Sequence, residues 1–546
     1  MRRLVRIETN PPRNSQDDTS LLDTHPALWS SVSTPIKLRT NLSPLPRDHS
    51  TLGTVTKEDL QSNEEHPPSQ PIQACFKGLR KTIRLLLKHA RNTRRLKYGK
   101  FLLRLFVKKP NAALKSIMST ASGKLNKNTL PTNLSIIKDE FSGLLITNPP
   151  EVVKKITELE TKALSPDPTL PLGAPFPWLG HVRPTPTSSV PMIAGQITPS
   201  IMQEALRRTP NHKAAGPDGV PGLILKHMPQ AFHDVLLLLF QALAETGITP
   251  PTWLQSHTIL LYKKGDPTLL DNYRPITLAN AIYKLWTTCI VILASDYIES
   301  RKILSPEQEG FRADRSCTRA VTHLSLCVED AHTSKKDIVL CCLDFKGAFP
   351  STDHKQLVRT LEFLGLPRDF TTLVSNLYTG ASTQFITSHG HTPPVIIGRE
   401  TLQGDPLSPL MFDLMIEPLI RWLNAADKGY NITSCDLKLA SKWYADDGTL
   451  VTNSVDDMMS LLSLVQQFSE WSGIKLNIDK CKVTAYIHSL QSISRKNGRD
   501  DALRARLSHI TLSGKPIGSL SQDEPLPGGY LGTSLTASLS PAAHLH

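Results

Sequence analysis

Long apolar runs are missing from this 546-residue chain. Its aliphatic stretches, such as Val235–Phe240, fall far short of the ~20 residues a helix needs to cross a bilayer, so membrane integration is not expected. The basic start Met1-Arg2-Arg3-Leu4-Val5-Arg6 has no apolar core behind it, which argues against a secretory signal. Paired cysteines are missing too. The eight cysteines (75, 289, 317, 327, 341, 342, 435 and 481) include no CxxC spacing, which argues against a zinc site or a disulfide framework and for a reducing compartment. No internal repeat is visible. What remains is a hydrophobic share of 39%, ample for a core, in a chain long enough for two or three units.

Acids are absent from one stretch in particular. Residues 77–109 hold thirteen Lys and Arg, Arg94 and Arg95 among them, and no Asp or Glu. The net charge of the whole chain is +13, so the rest balances to zero. Leu79, Ile83, Leu86, Leu87 and Ala90 recur at helical spacing within it. A solvated helix face is one reading. Uncompensated cations repel one another, however, and a polyanion is their natural partner because neutralised phosphates release counterions. Nucleic-acid contact is therefore expected there, with a nuclear-import signal overlapping it.

Residues 1–75 are rich in Pro, Ser, Thr, Asn and Asp without a sustained period, which predicts disorder. Nine prolines between 165 and 199 predict a linker or an extended wrap over a neighbouring domain. From about Ile197 the texture alternates between helical and strand-like segments.

Two acidic sites stand out in that body. Lys442-Trp443-Tyr444-Ala445-Asp446-Asp447-Gly448-Thr449 reads as a hairpin turning at Asp447-Gly448, with adjacent carboxylates at its tip. Alone, such a turn is usually only a turn. The run Ile338–Leu343 reads as a strand buried on both faces and ending at Asp344. One sheet can bring Asp344 beside the hairpin. Three clustered carboxylates repel unless a cation shares them, and oxygen-only ligands suit Mg²⁺, as in two-metal phosphoryl transfer. Downstream, Ser408 reads as the cap of an apolar helix with Pro409 in its first turn and Pro418 kinking it, and Ser454 and Gly473 bracket a second.

Asp344-Phe345-Lys346-Gly347-Ala348-Phe349, Gln403-Gly404-Asp405-Pro406-Leu407-Ser408-Pro409 and Tyr444-Ala445-Asp446-Asp447 resemble, in order and spacing, motifs A, B and C of reverse transcriptases. The nearest likeness is to the non-LTR, LINE-like retrotransposon group. Lys263-Lys264-Gly265-Asp266-Pro267 with Asn272-Tyr273-Arg274-Pro275-Ile276 resembles the fingers motif, and Gln308–Ser316 the block after it. Gly473-Ile474-Lys475-Leu476-Asn477 with Lys480 resembles motif D, and Gly529-Tyr530-Leu531-Gly532 the primer grip. The approach, Lys213–Gly219, is similar as well, so the likeness covers roughly 197–535.

The resemblance implies an α+β right-hand polymerase fold with fingers and an antiparallel palm sheet backed by helices. The implied activity is RNA-directed DNA polymerisation: extension of a DNA primer or target on an RNA template with dNTPs. Asp344, Asp446 and Asp447 with the Phe345 carbonyl would hold two Mg²⁺ ions, with Mn²⁺ a substitute. Phe349 would be the steric gate against ribonucleotides. Lys263 and Arg274 would reach the triphosphate, Lys264 being as well placed as Lys263, and Gln403 and Gly404 would lie against the nucleotide or template. Lys480 would protonate pyrophosphate, with Lys482 a rival, and Arg312, Arg315 and Tyr530 would touch nucleic acid. A nuclear location with a cytoplasmic ribonucleoprotein phase follows by analogy, and no membrane partner does.

Departures from the family pattern are Pro350 after Ala348-Phe349 and Tyr262 before the fingers lysine. Few residues follow Gly532, which leaves the thumb largely missing and suggests a piece of a longer element protein. The expected organisation is a disordered tail (1–75), a basic helical nucleic-acid-binding region (76–164), a Pro-rich linker (165–196), the polymerase domain (197–535) and a short tail (536–546). Two other readings stand beside it. A viral-type RNA-dependent RNA polymerase would carry a sugar-reading Asp where Phe349 blocks. A truncated or domesticated remnant would bind RNA without efficient polymerisation.

Overall fold

A computed structural model describes residues 134–538, apart from 140–141, 212, 434, 436, 495–497 and 527–534. The expectations for the tail, for Arg94 and Arg95 in the basic stretch, and for Tyr530 lie outside the described residues.

Ile338–Leu343 is the spine of a five-stranded sheet. The order is Ser441–Tyr444, Asp447–Thr452, Ile338–Leu343, Lys482–Tyr486 and Gly518–Ser519. The first three pairings are antiparallel, as expected, and the last is parallel. Every residue of the spine is buried. Alternation along a strand explains the unbroken apolar run, because successive side chains enter opposite faces. Val339, Cys341 and Leu343 join the larger core, built from the helices Ser408–Ala425 and Val455–Ser472. Ile338, Leu340 and Cys342 join a second cluster with Leu324, Cys327 and Val328 of the helix Cys317–Ser334. The fold is α+β.

A second sheet places Tyr273–Leu278 beside Gln255–Tyr262, then Ser382–Thr387, with short strands beyond. The helix Pro149–Leu164 packs on it, burying Val152, Ile156 and Leu164 with Leu260, Tyr273 and Phe385. The folded body therefore begins well before Ile197, and at least residues 149–164 belong to it rather than to a separate basic region. Sequence texture missed this because the helix is charged on its outer face.

The Pro-rich segment wraps the body. Trp178, Met192 and Ile193 are buried in the main core. Thr185 N–H donates to the Phe363 carbonyl at 3.0 Å, and one Asp369 oxygen accepts from the N–H groups of Met192, Ile193 and Ala194 at 2.6–3.1 Å. Of the two readings of this segment, the packing fits the extended wrap and not the linker: prolines suit an extended chain, and interspersed apolar residues pin it down.

Two local expectations also change. The Ser408 side chain does not cap its helix; Leu407 occupies the cap position, and Asp405 accepts from the Leu407 N–H at 3.3 Å. The helix runs on through Pro418. Among the described residues one helix, Ala281–Ser300, is long and apolar enough to cross a bilayer, a length that aliphatic runs alone concealed because Thr, Cys and Tyr interrupt it. Its Leu285, Trp286, Ile290 and Ala294 pack in the main core. Asp218, in the approach segment, caps its start by accepting from the Ala281 N–H at 2.7 Å. Ser454 and Gly473 bracket their helix as expected, Gly473 at φ 78°.

Candidate active site

The hairpin turn is tighter than the sequence suggests. Tyr444 pairs with Asp447, so Ala445 and Asp446 alone make the turn, and Ala445 takes φ 57°. Gly448 lies within the strand instead, where a Cβ would collide with the Trp443 ring. The glycine is needed for that close approach and not for turn geometry. Left-handed backbone costs a non-glycine residue about 1–2 kcal/mol, so something must hold Ala445.

Leu343 pairs with Gly448 across the sheet, and one further step in register sets Asp344 opposite Asp447. The three carboxylates sense one another. Burial first, then the charges of Asp446 and Asp344, push the Asp447 carboxyl up to about 6. Burial raises Asp446 as well, Asp344 adds to the rise, and Arg274 opposes it. The Asp344 carbonyl accepts from Asn477 N–H at 2.7 Å, and Phe345 bridges to Leu476, so the segment after Gly473 braces the end of the spine.

Cations face this group. Lys480 Nζ is 3.7 Å from Asp344 Oδ1 on a largely exposed side chain. Lys482 turns away, its Nζ donating to the Asp479 carbonyl at 2.9 Å. Lys263 is held below the usual lysine range by burial, then by the charge of Arg274 and, more weakly, of Lys480, with Asp271 opposing. Strand pairing sets Arg274 opposite Leu261, near Lys263. Lys263, Arg274 and Lys480 thus form one cationic group beside the carboxylates.

Phe349 stacks on Phe412 with ring centroids 4.7 Å apart and meets Phe311 edge-on at 6.4 Å. Phe311 is 43% exposed, sits at φ 54° and also lies 6.4 Å from the Tyr444 ring. The Gln403 carbonyl accepts from Thr277 N–H at 2.7 Å. Gly404 takes φ 120°, and a Cβ there would strike the Thr277 carbonyl, so its close approach is to a neighbouring strand.

Arg312 does not sit as a phosphate ligand, and Arg315 has one nitrogen engaged within the protein. Arg312 is bidentate to Glu299 at 2.6 and 2.8 Å and also donates to the Ser305 and Gln308 carbonyls, its side chain only 4% exposed. Arg315 donates to the Pro306 carbonyl at 3.1 Å and lies 3.4 Å from Glu309, which a buried Lys442 also meets at 2.7 Å. Both arginines bind the loop they belong to, because a buried loop must satisfy its own carbonyls.

Sequence reasoning missed two buried residues here. Gln308 is fully buried against the hairpin, its side chain bonded to the Ala445 backbone. Asp413, fully buried on the Ser408–Ala425 helix, has neither carboxylate oxygen hydrogen-bonded. Burial pushes it far up, with Glu417 and Asp446 adding and Arg312 opposing. A polar residue inside an apolar helix face was the available signal for Asp413. Gln308 opens the block 308–316 already set apart by its family likeness, though nothing in the spacing showed that it meets the hairpin.

No three His, Cys, Asp or Glu side chains among the described residues already enclose a cation site. The donor set still fits a hard divalent ion. Mg²⁺ is commonly held by one or two carboxylates plus substrate oxygens and water, and a shared cation offsets the burial and the mutual repulsion that raise Asp446 and Asp447.

Residues 262–535 match the family model described as reverse transcriptase (RNA-dependent DNA polymerase). The chain is similar to the Pol polyprotein of the type-2 retrotransposable element R2DM of Drosophila melanogaster, 25% identical over 52% of this chain and 26% of that one. It is 27% identical to the type-1 R2 element polyprotein of Popillia japonica over 49% of this chain and 36% of that one. It is 23% identical to the RNA-directed DNA polymerase from the mobile element jockey of Drosophila melanogaster, over 54% and 32%. The matches span about a quarter to a third of these relatives.

Proposed function

The chain belongs to the reverse transcriptase family, of the non-LTR retrotransposon kind, and from that premise we propose that it extends a DNA 3′ end on an RNA template using dNTPs. Reverse transcriptases use divalent metal ions, and here Asp344 and Asp446, with the Phe345 carbonyl and Asp447 alongside, are the groups that would hold two Mg²⁺. Bound there, the ions would neutralise charge on the attacking 3′-oxygen and the leaving pyrophosphate.

The chain's own residues do the rest. Arg274 and Lys263 grip the triphosphate, the planar guanidinium in a fork and the ammonium as a point charge. Lys480 holds a proton for the pyrophosphate oxygen. The Phe349 ring excludes a ribose 2′-hydroxyl. In this reading the sheet carrying Asp344 is the palm, the sheet carrying Lys263 and Arg274 belongs to the fingers, and the cationic stretch 77–109 binds nucleic acid in a nuclear setting.

The observation carrying the proposal is the meeting of carboxylates from two paired strands with three cations from elsewhere in the chain. Primer extension on an RNA template tests it, with Mg²⁺ against EDTA and dNTPs against rNTPs. Incorporation should require Mg²⁺ and dNTPs and should vanish in Asp446→Ala while RNA binding persists. Asp446→Ala retaining more than a few per cent of activity would refute the assignment; RNA binding without wild-type extension would favour a non-catalytic remnant.

A further inference from the structure

Residues 305–312, distant from the hairpin in sequence, form a strap beside it. Glu309 N–H donates to the Trp443 carbonyl at 2.9 Å, and Trp443 N–H donates to the Glu307 carbonyl at 3.0 Å, so the strap pairs along the outer edge of Ser441–Tyr444. It is anchored behind. Glu417 accepts from the Ser305 N–H at 3.0 Å and the Ser305 hydroxyl at 2.6 Å, and Arg312 ties the Ser305 and Gln308 carbonyls to Glu299. Lys442 closes onto Glu309 and the Pro306 carbonyl within the protein.

From this strap the Gln308 side chain reaches the turn. Its Oε1 accepts from the N–H groups of Ala445 at 2.9 Å and Gly310 at 2.8 Å, while its Nε2 donates to the Ala445 carbonyl at 3.2 Å. One amide therefore satisfies both polar groups of the residue held left-handed at φ 57°. Gly310 lies so close to Ala445 that a Cβ would overlap its backbone, which fixes the separation of strap and turn.

We propose that Gln308 is a positioning residue for the polymerase reaction, the clamp that holds Ala445 left-handed and thereby sets where the Asp446 carboxylate stands. The inference rests on the polymerase reading for its consequence and on hydrogen bonds alone for its geometry. Asp446 is the next residue after the clamped one, so a turn that relaxes carries the carboxylate with it. Misplacement on the ångström scale costs about 100-fold in rate where reacting groups must be aligned. Substrate contacts, made by other elements, are untouched.

Two measurements on the full chain test this separately from the polymerase reading. In hydrogen exchange, Gln308→Met, which is similar in length and removes donor and acceptor, should speed exchange of the 441–448 segment while leaving 338–343 protected. Gln308→Glu keeps the acceptor oxygen and should preserve more of that protection. In single-nucleotide incorporation, Gln308→Met should lower kcat about 10- to 100-fold with KM for dNTP changed by less than about 3-fold. Unchanged hairpin protection in Gln308→Met overturns the proposal, as does equal loss in both segments, equal behaviour of the two variants, or a defect confined to a raised KM. A wild-type chain that does not extend primers fails the polymerase reading, and the exchange result still decides the clamp.

Discussion

Phe349 lies between the buried Phe412, on which it stacks, and the exposed Phe311. A ring supported from behind cannot yield to a 2′-hydroxyl, whereas a free one could. Phe349→Val is therefore expected to raise ribonucleotide incorporation relative to dNTPs at least several-fold in a competition assay, and an unchanged ratio would remove the gate. Arg312 makes the opposite case. Its donors are spent on Glu299 and two carbonyls, so Arg312→Ala should cost about 1–3 kcal/mol in denaturant unfolding, chiefly from the carbonyls left without a donor, because Glu299 is 38% exposed and its pairing is screened by solvent. The salt dependence of RNA binding should stay as it was, since no phosphate contact is lost.

A third residue-scale prediction concerns pH. Burial, then the charge of Glu160, pushes the Glu400 carboxyl up to about 8, and burial, then Asp271, brings Glu160 up to about 7. Both lie above the ordinary 4.5, so the folded chain binds protons that the unfolded chain has released. The associated stability is complete below about pH 4.5 and is lost as pH rises through 7 and 8. Glu400→Gln should flatten the fall in melting temperature between pH 6 and 9; an identical fall would contradict the account.

At the scale of elements, the central strand was legible because its information is local. Six apolar residues closed by Asp344 can be buried on two faces only as a strand between neighbours, and alternation then assigns each side chain to a core. The hairpin was legible as an element but not in its turn. Gly448 drew the turn two residues too far along, since a glycine beside an aspartate reads as backbone freedom when its reason is the Trp443 ring. The cap at Ser408 was misread by one residue: Leu407 holds that position, where no side chain caps the helix, and Asp405 accepts from the Leu407 N–H itself. What escaped reading altogether was contact between distant segments. Gln308 meets Ala445, and Arg312 meets Glu299, through packing that no spacing rule encodes.

At the scale of the molecule the same distinction governs the Pro-rich wrap. Its prolines announced extension, but only the packed structure shows Trp178 among Phe176, Phe363, Trp422, Phe468 and Trp471. If the segment is structural, Trp178→Ala should cost about 3–5 kcal/mol in chemical unfolding, the usual loss for a large buried aromatic. A loss near zero would return the segment to the status of a tether. The wrap and the helix Pro149–Leu164 together enlarge the folded body towards the N-terminus beyond the family match, which begins at residue 262.

In the proposed reaction the carboxylates of the central strand and of the hairpin share cations. Anomalous diffraction from crystals of the chain with primer–template, dNTP and Mn²⁺ measures this directly. A Mn²⁺ peak bonded at ~2.0–2.2 Å to oxygens of both Asp344 and Asp446 is the result expected, the distance being that of a hard cation on carboxylates. Mn²⁺ held elsewhere, or by one of the two carboxylates with the other turned away, would contradict it.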